Sequence, residues 1–189
     1  MSNLVLPFKL LNGSILIYTF MSRKSSINKI KRSNAVSKDI EASLVMDLYL
    51  KGHSPITTHF SGQGLAECDI LSISKSDYIY EYEVKISRSD FKADFKKEKH
   101  SLILEKHFIN ESSSQTFNYY TPNYFYFVVT ENLITIDEIP EYAGLIYMKE
   151  NGKIETIKKA PILHKTKASP ELIRGLAHQL SCKLVFKKI

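Results

Sequence analysis

Asp69, Glu83 and Lys85 are the residues of this chain whose types and spacing could do chemistry together. The segment Tyr78–Ile86 alternates as a strand does, so Tyr78, Tyr80, Tyr82, Val84 and Ile86 take one face. Ile79, Glu81, Glu83 and Lys85 take the other, with Glu83 and Lys85 about 7 Å apart along it. In the preceding segment Glu67 and Asp69 share a face, opposite to Cys68 and Ile70. A turn centred near Lys75 and Ser76 sets Asp69 opposite Tyr82 or Glu83, where cross-strand neighbours are about 5 Å apart. One residue of register decides the face that Asp69 takes. In the favourable register two carboxylates and an amine converge on one patch. The alternative is a solvated edge face of alternating charge.

A helix positions a fourth candidate. Ser37 can cap it, Asp39 and Glu41 suit its first turn, and Ile40, Leu44, Val45, Leu48 and Tyr49 follow at helical spacing up to Gly52. At about 100° per residue, Glu41 falls within the apolar arc of Ile40, Leu44, Leu48 and Val45. A carboxylate there must be paired, protonated or bound to something.

Extended segments are predicted at about Ile56–Phe60, Ala66–Ile73 and Tyr78–Ile86, separated by Gly62-Gln63-Gly64 and Ser74-Lys75-Ser76-Asp77. A second helix is expected from about Ser89 to Lys99, opened by Ser87-Arg88-Ser89-Asp90 as a capping box. Glu111–Gln115 reads as a surface loop. Tyr124–Val129 reads as a strand buried on both faces, and Gly144–Met148 as another strand. Ser169-Pro170 opens a last helix with Leu172, Ile173, Leu176, Ala177 and Leu180 inward. The order predicts an α/β (α+β) domain, a mixed central sheet flanked by helices, over residues 37–189. Residues 1–36 read as an apolar segment followed by a basic linker carrying Arg23, Lys24, Lys29, Lys31 and Arg32.

Glu83-x-Lys85 has look-alikes in Asp90-x-Lys92 and Asp94-x-Lys96, but those fall on the predicted helix, where i and i+2 diverge. Helix-Glu, strand-Asp, strand-Glu-x-Lys and following helix stand in the order of the PD-(D/E)xK nuclease superfamily, which residues 37–150 resemble. The run Glu83-Val84-Lys85-Ile86-Ser87-Arg88-Ser89-Asp90-Phe91-Lys92-Ala93-Asp94 is similar to that of the MmcB-type DNA-repair endonucleases. Cys68 stands where the name-giving proline would be. The resemblance implies a restriction-endonuclease-like αβββαβ core and Mg²⁺- or Mn²⁺-dependent cleavage of DNA. Asp69 and Glu83 would be the metal ligands, with Glu41 joining them directly or through water. Lys85 would orient or deprotonate a water, or steady charge on the phosphate. Two rival readings are a sequence-recognising restriction-type nuclease and a non-catalytic nucleic-acid-binding module on the same fold.

The charge balance agrees with a polyanionic partner: 26 Lys and Arg against 20 Asp and Glu give a net charge of +6. Arg88, Lys92, Lys96 and Lys99 form one stripe of the second predicted helix, either a grip for a phosphate backbone or an ordinary solvated face. The six histidines are scattered and receive no role. Gly144-Leu145-Ile146-Tyr147 resembles half of a GIY-YIG signature, but a buried strand accounts for it better. Cys68 and Cys182 read as buried thiols in a reducing, cytoplasmic compartment. No apolar run reaches the ~20 residues of a membrane span, and Ser14–Phe20 lacks the flanks of a signal peptide. Oligomeric state stays open, a homodimer among the options.

Overall fold

Where apolar residues recur at helical spacing, at 40, 44 and 48, the chain forms a helix, and it is the lid of one sheet face. The structure, a computed structural model, describes residues 35–62, 65–108 and 121–186. The expectations for residues 1–34, for Gln63 and Gly64, and for Glu111–Gln115 lie outside them. Helix α1 spans residues 35–50. Three strands follow, β1 (Ile56–Gly62), β2 (Leu65–Ile73) and β3 (Ile79–Lys85). Helices α2 (Arg88–Asp94) and α3 (Glu98–Phe108) lead to β4 (Tyr124–Thr130), β5 (Ala143–Met148), β6 (Ile154–Lys158) and α4 (Pro170–Phe186). The fold is α+β. Its six-stranded mixed sheet has the order β1-β2-β3-β4-β5-β6, flanked by helices.

β1, β2 and β3 pair antiparallel, β3–β4 and β4–β5 parallel, and β5–β6 antiparallel. A parallel neighbour needs a crossover, and α2 with α3 supplies it between β3 and β4. β4 is thus interior, and its central residues Phe125 to Val129 are buried whichever face they take. Gly144 of β5 lies opposite Tyr126, whose ring would be 2.3 Å from a Cβ there. Only glycine lets the two strands and that ring coexist.

Ile40, Leu44 and Leu48 of α1 pack on Ile70, Tyr82, Val84, Tyr126, Val128 and Ile146. The other face carries Phe125, Phe127, Val129, Leu145 and Tyr147 under Phe91 of α2 and Ile103 of α3. Leu172 and Leu176 of α4 close a third cluster with Phe60, Leu71, Ile73 and Ile79. Among the described residues no helix is long and apolar enough to cross a membrane.

Three local expectations change. Ser37 lies inside α1 rather than at its cap, and its hydroxyl donates to Glu41 Oε1 at 3.1 Å. Tyr49 is exposed, because the arc that meets the sheet ends at Leu48. α1 closes as expected at Gly52: its N–H reaches Tyr49 O, the His53 N–H reaches Leu48 O, and φ at Gly52 is +81°. The single helix predicted from Ser89 to Lys99 is two, broken at residues 95–97. Lys96 N donates to Ala93 O and Lys97 N to Asp94 O, the i→i+3 bonds of a tightened last turn.

Candidate active site

β2 and β3 stay in register from Ile73↔Ile79 to Ile70↔Tyr82, which places Asp69, the next residue, opposite Glu83. The described pairing stops there. Past it the Val84 N–H donates to Asp69 Oδ2 at 2.7 Å, so a side chain supplies the acceptor that the strand ladder no longer does. Burial pushes the Asp69 carboxyl up, and the charge of Glu83 adds to the effect; the Val84 N–H, Lys85 and Lys97 pull the other way. Two carboxylates that feel each other beside a lysine is the arrangement that the spacing predicted.

The surroundings of Glu83 are not those of a solvated edge. β3 is an interior strand, and Glu81, Glu83 and Lys85 are buried at 1%, 1% and 4% exposure. Lys85 Nζ lies 2.6 Å from Glu83 Oε2 and 2.8 Å from Asp94 Oδ1. Lys97 Nζ bridges the same two carboxylates at 3.3 and 2.7 Å. Lys99 Nζ pairs with Glu83 Oε1, with Glu81 Oε1 at 2.9 Å and with Glu67 O at 3.0 Å. Three carboxylates and three ammonium groups form one buried network, with only Lys97 half-exposed, at 49%. Burial works against the charge of Lys85 and Lys99, but Glu83 with Asp94, and Glu81 with Glu83, outweigh it and raise both amines. Burial pushes Glu81 up to about 7 against the pull of Lys99. Cys68 is also beside this network, and burial pushes its thiol up.

Lys97, His100 and Tyr142 were not picked out from the sequence, and Asp94 stood there only at the end of the signature-like run and in a look-alike triplet, with no role given to it. Asp94 Oδ2 is 2.8 Å from His100 Nε2, and His100 Nδ1 is 2.8 Å from Tyr142 Oη. A signal existed for Asp94: it stands three residues after Phe91, on the same helix face, and both are buried. The geometry that disqualifies Asp94-x-Lys96 as an E-x-K triplet also turns Asp94 inward. Tyr142 meets His100 across 42 residues of chain, which no local pattern reports.

Glu41 is largely buried, as its place in the apolar arc requires, but its described partners are Ser37 and His59. His59 Nε2 lies 3.2 Å from Glu41 Oε2. His59 occupies the register position opposite Asp69 and has φ +48°, a left-handed residue within β1. Glu41 thus has partners in α1 and β1, and one of the histidines read as scattered stands beside its carboxylate. Cys182, half-buried on α4, likewise has Sγ 3.7 Å from His178 Nδ1, one turn away.

The basic stripe also dissolves. Lys99 is inside the ion network because the break after Asp94 rotates α3. Arg88 binds Leu133 O at 2.8 Å and pairs with Glu138, which ties it to the β4–β5 connection. Lys92 and Lys96 remain exposed.

A bound divalent ion must be judged on these donors. Among the described residues no three His, Cys, Asp or Glu side chains come together to hold one. Mg²⁺ commonly takes only one or two carboxylates, with water and phosphate completing its shell. Asp69 and Glu83 fit that smaller set: both are carboxylates on adjacent strands, and the charge of one raises the pKa of the other. Glu83 would have to exchange a lysine for the ion, and half-exposed Lys97 has the longest contact to it.

No family model matches the chain, and no curated protein matches it. Among solved structures it is similar to a protein of unknown function from Silicibacter pomeroyi, with 19% identity and a TM-score of 0.49, covering 74% of this chain and 80% of that one.

Proposed function

We propose that the chain is a divalent-metal-dependent endonuclease of PD-(D/E)xK type acting on DNA. Asp69 and Glu83 would hold the ion and Lys85 would face the scissile phosphate. The observation that carries this reading is the placement of Asp69 opposite Glu83 where the β2–β3 ladder ends, with the Val84 N–H on Asp69 and Lys85 bonded to Glu83 beside them. The ion would polarise the phosphate and activate a water. Val84 N–H fixes one Asp69 oxygen and so orients the carboxylate. Lys85 is kept as an ammonium by its carboxylate neighbours, so it donates hydrogen bonds and stabilises growing negative charge rather than removing a proton. Its burial requires that substrate or ion open the cluster, with the half-exposed Lys97 at the entrance.

One observation favours a second reading, a non-catalytic nucleic-acid-binding module. Both Glu83 oxygens are already met by lysines, which is a self-sufficient arrangement. Purified protein with Mg²⁺ or Mn²⁺ on single-stranded, duplex, flapped and four-way DNA, with an RNA control, separates the two. The nuclease reading expects cleavage that EDTA and Glu83→Gln abolish. DNA bound but uncut with either ion leaves the binding module.

A further inference from the structure

A lysine two residues from a metal-binding carboxylate has a difficulty of its own. With Glu83 as its single anchor, the amine of Lys85 would lose that anchor when Glu83 turned to a cation. The rotatable bonds of its flexible stem would then spread it over many positions. The structure supplies a second anchor. Asp94 Oδ1 is 2.8 Å from Lys85 Nζ, and it sits on α2, outside the β2–β3 pair. Asp94 is itself fixed from behind by His100 Nε2 on Oδ2, and His100 by Tyr142 Oη, at 2.8 Å each. The imidazole is walled by Phe95, Phe125 and Phe127, with ring centroids 5.3, 5.5 and 6.1 Å away. A ring so enclosed has little room to move, which favours a fixed place for the carboxylate it holds. The chain from Tyr142 through His100 to Asp94 is buried throughout. Ionic groups of this kind are an uneconomical way to stabilise a core, which apolar residues would do as well or better.

We infer that Asp94 is a positioning residue: backed by His100 and Tyr142, it fixes the Lys85 amine at the reacting phosphate and leaves Glu83 available to a cation. This rests on the nuclease reading above. It differs from a merely structural role in what it predicts. Loss of Asp94 should lower the rate of the chemical step with DNA affinity kept, and it should loosen the Lys85 ammonium when a cation draws Glu83 away, with no substrate needed.

The test uses the full chain with ¹⁵N-labelled lysine. Lys85→Ala identifies the Nζ resonance of Lys85, and the same spectrum is taken of Asp94→Asn and Tyr142→Phe with and without Mg²⁺, in both cases without DNA. Single-turnover cleavage of a fluorescein-labelled DNA and its binding by anisotropy are measured alongside. For Asp94→Asn the Lys85 resonance should broaden into exchange when Mg²⁺ is added, since without it Glu83 still holds the amine. Cleavage should slow by about a hundredfold, the scale of a misplaced reacting group, with DNA binding within about twofold. Tyr142→Phe removes one hydrogen bond and keeps every charge, so it serves if Asp94→Asn does not fold. It should slow cleavage by about threefold to tenfold with DNA binding unchanged. Parent-like rate and resonance in both variants would overturn the inference, as would a rate loss matched by lost DNA binding. A parent that cuts nothing ends the nuclease reading instead, and with it any catalytic role for Asp94; the resonance then reports only whether Asp94 holds Lys85.

Discussion

On the α1 side of β3, Tyr80, Tyr82 and Val84 lie against Ile70, Tyr126, Val128 and the inner residues of the helix. On the α2–α3 side, Glu81, Glu83 and Lys85 lie among Asp94, Lys97 and Lys99. The first side is held by area and by stacked rings, Tyr80 on Tyr124 at 4.4 Å and Tyr82 on Tyr126 at 5.6 Å. Such contacts are individually weak and degrade gradually as atoms are removed. The second side is held by charges that have left water, and each is tolerable only while its partners remain. A strand that had only to hold the sheet would be apolar on both sides. On its ionic side β3 gives up apolar packing for paired charges, and substitutions on the two sides should therefore fail differently.

The largest contrast is in catalysis. Lys85→Ala should slow cleavage by about a hundred- to a thousandfold, the cost of losing a preorganised donor to the transition state. Metal and DNA should still bind, since Lys85 supplies no negative charge to hold the ion. Val84→Ala, one residue away on the other side, should leave the rate near that of the parent. Calorimetry for the ion, a gel shift for DNA and a nicking assay separate these outcomes. A Lys85→Ala protein that nicks like the parent makes the Glu-x-Lys triplet a chance match and returns the chain to the binding module.

Stability gives the next contrast. Glu83→Ala takes a shared partner from two buried ammonium groups, leaving Lys85 to Asp94 and Lys99 to Glu81, and should cost about 3–5 kcal/mol in urea unfolding. Leu44→Ala, fully buried on the α1 side, should cost about 2–5 kcal/mol by leaving a cavity, with the Asp69–Glu83 site intact. The two differ in salt dependence. Screening reaches the ionic side as it opens, whereas a cavity is indifferent to salt.

The pH response sharpens this further. Burial alone would raise the Asp94 carboxyl, but His100, Lys85 and Lys97 outweigh it and hold it well below its ordinary 3.8. A lowered folded-state pKa adds stability that is fully present above 3.8 and is lost as the pH falls toward the folded value. The gap in unfolding free energy between parent and Asp94→Asn should therefore be flat near neutral pH and narrow below about pH 4. A gap that stays constant into acid would mean that Asp94 contributes packing and not charge.

The apolar side was readable in the sequence and the ionic side only in part. Alternation marks β3, the continuous run at 124–129 marks β4, and Ile40, Leu44 and Leu48 mark the face of α1, because each follows from a local period. Asp69, Glu83 and Lys85 were legible for the same reason. What completes their surroundings comes from a helix break, which turns Lys99 inward, and from long-range contacts such as His100 with Tyr142. β6 was missed: its five residues, Ile154 to Lys158, are half-exposed or exposed at the sheet edge and carry little apolar signal. Glu41 shows the limit of the method. Its burial was legible, but its partner His59 depends on one left-handed residue in β1 that no periodicity announces.

The smallest expected effect concerns the outer surface of α2. Of the four basic residues on the predicted stripe, Arg88 is tied to Glu138 and Leu133 O and Lys99 is buried, while Lys92 and Lys96 are exposed. A phosphate contact releases counterions, so each lysine that makes one adds to the salt slope of DNA binding. Replacing Lys92 and Lys96 together by alanine should lower that slope by about two and weaken binding for every sequence alike. Stability should stay within about 0.5 kcal/mol of the parent, because surface positions away from caps and cores seldom cost more. Arg88→Ala is the control. It breaks a surface ion pair, worth about 0–1 kcal/mol, and should leave the slope alone. If the slope falls for Arg88→Ala and not for the double variant, DNA runs along the β4–β5 connection rather than over α2. An unchanged slope in both would mean that this surface is merely solvated, and that the ionic side of β3 meets its substrate from elsewhere.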